Sequence, residues 1–404
     1  MKTSLIYKQL IFGLLLLTVS FNANSTGVWT KKNGLDAGKR ESAVGFAIGD
    51  YGYVCGGTNT NEETQNDLWR YDPATDSWSQ MADLPGGKRR DAIAFTLVGK
   101  GYVGTGHSHD DEAQGQNLKD FYAYDPSTNT WDQKANYPGA GGNGVFRATG
   151  FSTYTYGYIS CGKVSSNNYA KDLWQYDPFN DYWSYKSDFP GGVRQKLTSF
   201  VIDDIAYIGF GQNQDVYCDD VWQFNPALNS WIQMNDFPGS QRASLTSFVI
   251  QQNAFVCFGE DGGYKQDFWE YTPTTDSWIQ KIDFGGSARF KGVSFSINGK
   301  GYAGLGKGLD GKKKSFWEYS PYEVLSIEEP KADLVKVYPS PASEYFYIEN
   351  IIKNVKLFDM QGKEVTSLFS FSKNESSTLV LNTNELRGVY LINVGNKTQK
   401  VILK

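Results

Sequence analysis

The chain has 404 residues, of which 40% are hydrophobic and 21% charged, with a formal net charge of −5. That is enough apolar material for two or three packed domains. No basic run is long enough to follow a phosphate backbone, and the longest, Lys312-Lys313-Lys314, reads as a solvated loop, so no nucleic-acid partner is expected.

Residues 1–24 read as a secretory signal. Lys2 and Lys8 give a basic start, and Leu10 to Val19 is an apolar run too short to span a bilayer. The small residues Ser20 and Ala23 point to a cleavage site in this region, with Phe21 and Asn22 leaving its position open, and no later stretch is long and apolar enough to cross a membrane. Export makes disulfides permissible. Cys55, Cys161 and Cys257, however, fall at or beside one point of a repeat in non-neighbouring copies, which suits small buried hydrophobes, and Cys218 sits in a polar loop, where a free thiol is favoured over a bridge to Cys257 in the neighbouring blade.

Beyond the signal, the chain repeats one pattern. Asp67-Leu68-Trp69-Arg70-Tyr71-Asp72-Pro73 leads to Trp78, and the same sentence returns to close at Trp131, Trp183, Trp231 and Trp278. A sixth copy, Ser315-Phe316-Trp317-Glu318-Tyr319-Ser320-Pro321, stops before its tryptophan. A period of about fifty residues built from short strands marks a propeller or solenoid. Alternating aromatic and polar residues suit a pleated strand with one buried face. Pro73 presets a turn, and Asp76 is expected to bond its own backbone.

Upstream lies a second strand pair. Phe46, Phe95, Phe151, Phe200, Phe248 and Phe295 are each followed six residues later by a small residue and an aromatic, from Gly52-Tyr53 to Gly301-Tyr302. Polar dipeptides such as Gly99-Lys100 and Asn298-Gly299 supply the hairpins. Each unit is thus four strands. Because the sixth lacks its last strand and Val28-Trp29-Thr30 is spare, the expected solution is an all-β ring, residues 27–323, closed by the N-terminal strand. Closure hides the edges that an open array leaves exposed.

The glycine-ended strand, the aromatic-Pro turn and the closing tryptophan together resemble the kelch repeat, which implies a six-bladed β-propeller. The double glycine of that family stands at Gly56-Gly57 and is weakened elsewhere, as in Gly104-Thr105-Gly106 and Cys161-Gly162.

Candidate chemistry sits on the face holding the loops after each second strand. Arg40, Arg89, Arg194, Arg242 and Arg289 each stand six residues before the repeated phenylalanine, and Arg147 stands four before Phe151, after a longer loop, Gly139-Ala140-Gly141-Gly142. Gathered at the mouth of a central channel, these guanidiniums would suit a carboxylate, sulfate or phosphate. The competing reading is that each locks blade to blade. His107 and His109 are the only histidines and the only candidate metal ligands. They have no companion cysteine nearby, so no metal or other cofactor is expected.

Galactose oxidase is kelch-like, but its copper site draws histidines from separate places, so the resemblance does not carry that site here. The kelch-type sialic acid mutarotases imply acid/base groups near an anion-binding mouth, for which Glu260 and Asp261 beside Arg242 are the candidates. No nucleophile elbow, phosphate loop or zinc spacing occurs, so no motif assigns a catalytic residue. The preferred expectation is a binding scaffold for a protein or glycan, with a carbohydrate-active enzyme as the alternative.

Residues 324–334 are charged and proline-bearing and read as a linker. Residues 335–404 read as a small β-sandwich, with strands at Val335–Tyr338, Phe346–Ile348, Val355–Asp359, Leu386–Ile392 and Lys400–Lys404. Its motifs are Tyr338-Pro339-Ser340-Pro341-Ala342, the turn at Gly362, Gly388-Val389-Tyr390 and the lysine-ended terminus. They resemble the C-terminal sorting domain of the type IX secretion system of Bacteroidota. The resemblance implies recognition by that machinery and delivery to the cell surface or medium.

Overall fold

The computed structural model describes residues 27–321 continuously, then 337–338, 345–348, 355–359, 363–368, 370–373, 379–382, 387–394 and 397–403. The expected signal, residues 1–24, and linker, 324–334, lie outside the described residues, as do Pro339, Pro341 and Gly362. The chain divides into two compact units, 1–323 and 324–404.

After β1 (Val28–Lys32), the first blade consists of β2 (Val44–Ile48), β3 (Tyr51–Cys55), β4 (Leu68–Asp72) and β5 (Ser77–Met81), paired antiparallel in chain order. Four further blades repeat this order over residues 93–134, 149–188, 198–233 and 243–280. The sixth has three strands of its own, Val293–Ile297, Lys300–Gly304 and Phe316–Ser320. β1 supplies the fourth, pairing antiparallel with Phe316–Ser320 so that Trp29 faces Tyr319. The ring is closed as the spare N-terminal strand requires.

The hairpins inside the blades follow the strand twist. Asn298 and Gly299 have φ of 50° and 74°, the double left-handed conformation of a two-residue turn. In blade two the turn is Val98-Gly99, one residue earlier than the sequence suggests, because Lys100 pairs with Leu97. Weakening of the double glycine does not alter the backbone. Thr105, Cys161, Phe210, Phe258 and Leu305 replace the first glycine yet keep φ between 57° and 73°, while the second glycine is retained throughout.

The small residue before each strand-two aromatic fits blade to blade. A β-carbon on Gly101 would lie 2.2 Å from the Phe46 ring, and one on Gly52 would lie 2.1 Å from Phe295. At four of the six seams a phenylalanine therefore fills the space that the next blade leaves beside its glycine, Gly52, Gly101, Gly157 or Gly301, while Ala206 and Ala254 hold that position in blades four and five. Gly101→Val should cost about 1–3 kcal/mol through overpacking, read as a lower denaturant midpoint at an unchanged slope.

The closing tryptophans reach across the same seams. Trp78, Trp131 and Trp183 donate to the carbonyls of Asn33, Ala82 and Ala135 at 3.0, 2.8 and 2.8 Å. Asp76 differs from expectation. Its carboxylate accepts from the Tyr71 hydroxyl at 2.8 Å and from Asn33 N–H at 3.0 Å, while Asp72 closes the local turn onto Ala74 N–H. This turn residue, at φ 49°, is thus also a seam residue.

All four cysteines are free, with Cys55, Cys161 and Cys257 buried. Burial pushes the Cys55 and Cys161 thiols up to about 12, so neither is a ready nucleophile.

The second unit is also antiparallel β. A four-stranded sheet joins Val337–Tyr338, Tyr345–Ile348, Leu379–Asn382 and Ser370–Lys373, and a three-stranded sheet joins Val355–Phe358, Gly388–Val394 and Lys397–Leu403. The strands at 370–373 and 379–382 have no counterpart in the sequence reading. Gly388, at φ 123°, opens the long central strand that carries Tyr390.

Candidate functional site

Five of the six arginines singled out by the sequence are turned into their blades. Arg40, Arg89, Arg194 and Arg242 are buried and form two-pronged bonds to Asp67, Asp120, Asp220 and Asp267 at 2.5–3.0 Å. Trp69, Trp222 and Trp269 donate to the same aspartates at 2.8, 2.8 and 2.7 Å. The repeated Asp-x-Trp is therefore the receiving half of an internal ion pair.

Arg194 and Arg242 also stack on Phe189 and Phe237, each 5.1 Å from the ring centre. Arg289 lacks a carboxylate. It reaches the Leu305 carbonyl and the Ser315 hydroxyl, both at 3.1 Å, and burial lowers its pKa to about 10. Meanwhile the main chain of each arginine ties the neighbouring blade, as when Gly57 N–H donates to the Arg89 carbonyl at 2.9 Å. These five side chains do not reach the channel mouth, because their charge is spent on partners inside the fold.

The mouth belongs to the residues two positions further on: Ser42, Asp91, Arg147, Lys196, Ser244 and Lys291. Each has a φ between 49° and 59°. Their main chains form a closed circle around the axis. Asp91 N–H donates to Ser42, Arg147 to Asp91, Lys196 to Arg147, Ser244 to Lys196, Lys291 to Ser244 and Ser42 to Lys291, at 2.8–3.2 Å. A residue from every blade thus lines one cavity of about 140 Å³. Arg147 is the one arginine of the sequence reading that stands here.

The lining carries one carboxylate and three cations. Burial alone would raise the Asp91 carboxyl, but Arg147, Lys291 and Arg90 outweigh it and hold it well below the usual carboxylate range. Arg147 lies 3.2 Å from Asp91 and 2.8 Å from Glu112, which also takes Lys163 at 2.7 Å. Lys196 is 2.7 Å from Glu260, and burial lowers its pKa despite that partner. Lys291 is the least satisfied cation, its nearest ion-pair partner being Glu41 at 3.8 Å. Preorganised positive charge at a concave mouth can receive an anionic group with little rearrangement.

The remaining candidates fall around this ring. Glu260 is held by Lys196 and not by Arg242, and Asp261 pairs with Lys265 at 2.5 Å. His107 is buried, with Nδ1 2.8 Å from the His109 carbonyl, and His109 Nδ1 accepts from Asp111 N–H at 3.0 Å. Both imidazoles thus order their own loop. Among the described residues no group of three His, Cys, Asp or Glu side chains is placed to hold a metal ion.

Two family models match parts of the chain: the kelch motif over residues 46–85 and the secretion system C-terminal sorting domain over residues 336–404. Among solved structures, one titled "Structure of YjhT" superposes with a TM-score of 0.59 at 17% identity, covering 70% of this chain and 94% of that one. At that identity the likeness shows the fold alone. No curated protein matches the chain significantly.

Proposed function

We propose that this kelch-type β-propeller, marked for type IX export by its C-terminal sorting domain, is a ligand-binding scaffold whose contact surface is the loop face around the channel mouth. After removal of residues 1–24 it would act in the medium or on the outer face of the outer membrane. No helix among the described residues is long and apolar enough to cross a membrane. The observation that carries the binding reading is the convergence of Arg147, Lys196 and Lys291 on one cavity, with Lys291 only distantly paired. A glycan or protein presenting a carboxylate or sulfate is the ligand this chemistry suits.

The test is thermal unfolding of the whole chain against neutral, sialylated and sulfated glycans. A ligand at tenfold its dissociation constant should stabilise by about 1.4 kcal/mol. Lys291→Gln should weaken an acidic ligand about tenfold, the effect of one charge-assisted bond. Stabilisation by neutral and acidic glycans alike, or by none of them, would turn the search toward protein partners.

An enzyme of sialic acid mutarotase type is the second reading, favoured by one observation: Lys196, with its lowered pKa, lines the cavity and contacts Glu260. Loss of turnover in Glu260→Gln with binding retained would single it out.

A further inference from the structure

At the end of the channel opposite the ion ring, hairpin turns from three consecutive blades meet around a second cavity of about 370 Å³. They carry Val98, Tyr154 and the pair Asp203-Asp204. Tyr154 leaves 77% of its surface uncovered although it lines this cavity. Asp203 and Asp204 have φ of 49° and 66°, a conformation that aspartate tolerates better than most side chains. Asp204 accepts the Tyr154 N–H at 2.6 Å, which fixes the tyrosine turn against the aspartate turn.

The hydrogen-bond inventory of the lining is one-sided. The Thr96 hydroxyl donates to the Ala47 carbonyl at 2.5 Å, and the Ser152 hydroxyl donates to the Thr96 carbonyl at 2.6 Å. The Thr153 hydroxyl donates to the Tyr156 carbonyl at 3.3 Å. Their oxygens keep acceptor capacity while their hydrogens are committed. No lysine, arginine or histidine lines the cavity. Asp203 accepts from Gln252 at 3.0 Å, and neither aspartate has an ion-pair partner among the described residues. Among the lining side chains, only the Tyr154 hydroxyl has a hydrogen left to give. A neutral sugar needs donors as well as acceptors, so it matches this lining poorly. A group that only donates, carries positive charge and offers a face to an aromatic ring matches it well.

We propose that this cavity binds an organic cation, an alkylammonium or guanidinium group, paired with Asp203 and Asp204 and stacked on Tyr154. The two ends of the channel then take opposite charges, and this site stands independently of the proposed ligand at the mouth.

The full-length protein would be titrated calorimetrically with Nα-acetyl-lysine amide and Nα-acetyl-arginine amide. Nα-acetyl-norleucine amide serves as the uncharged isostere, with N-acetylglucosamine and calcium chloride as the other arms. Binding on the order of millimolar is expected for the two cations only. Asp203→Asn and Tyr154→Ala should each weaken it about five- to tenfold. Tyr154 is exposed, so its removal should leave the unfolding midpoint in place, and Lys291→Gln should leave the affinity unchanged. Four results would overturn the proposal: norleucine amide or the sugar binding as tightly as the cations, calcium binding in their place, affinity unaltered by both cavity substitutions, or no heat with either cation.

Discussion

Arg89→Ala should destabilise the propeller by about 3–5 kcal/mol while leaving any ligand at the channel mouth bound as before. Its guanidinium is 1% exposed and meets Asp120 at 2.8 and 2.9 Å, the Gly86 carbonyl at 2.7 Å and the Thr105 carbonyl at 3.1 Å. Removing it strands a carboxylate and two carbonyls at once. Arg89→Lys should recover little, because an ammonium cannot reproduce the two-pronged geometry. Urea unfolding measures the first effect and glycan titration the second. A variant of native stability that no longer binds would return this arginine to the mouth.

The propeller itself tolerates one missing arginine. In blade three the place is taken by Val145, and Asp172 Oδ1 and the Tyr137 hydroxyl are left buried without hydrogen-bond partners. The Asp172 Oδ2 is occupied by Ala140 N–H at 2.9 Å and Trp174 Nε1 at 2.7 Å. The longer glycine loop supplies the Ala140 donor, so the loop insertion compensates in part for the lost guanidinium. Blade six solves the reverse problem, keeping Arg289 but offering it Ser315 in place of aspartate. Both exceptions sit where one half of the pair has changed, as expected of a structural pair.

This asymmetry explains what the sequence could and could not disclose. Periodicity finds residues that every blade needs, and those are seam and lock residues: the phenylalanines against glycines, the closing tryptophans, the arginine with its Asp-x-Trp. Six blades and the closing N-terminal strand were legible for that reason. The same method misplaced the candidate site by two residues. Repetition drew attention to Arg40, Arg89, Arg194, Arg242 and Arg289, whereas the mouth is lined by Ser42, Asp91, Arg147, Lys196, Ser244 and Lys291. Those six share a backbone conformation and an offset of four before the repeated phenylalanine, but not a side chain. A fixed offset with varied, mostly charged occupants is the available signal, and Arg147 stands out in the sequence only because it breaks the arginine pattern. The cation cavity was less legible still, since it depends on which hydroxyl hydrogens are already committed.

Trp29→Ala should cost about 3–5 kcal/mol, the usual price of removing a large aromatic from a packed seam, and should act mainly by speeding unfolding. Trp29 meets Phe268, Phe284 and Tyr319 at ring separations of 4.9–5.1 Å, although it lies on an outermost strand. Its loss uncovers the cluster between blades five and six and weakens the strand pairing that joins the propeller's first and last strands, from Val28 opposite Ser320 to Lys32 opposite Phe316. Those partners are the most distant in sequence that the propeller brings into a single sheet. The entropy of closing so long a loop is recovered only after the intervening blades have formed, so β1 should dock after the transition state. Stopped-flow folding of the full chain would then show an unfolding rate raised by two orders of magnitude or more, on the order of what 3–5 kcal/mol implies, with the refolding rate nearly unchanged. Slowed refolding in place of faster unfolding would mean that the N-terminal strand helps to nucleate the ring, and that the propeller assembles from its closure outward.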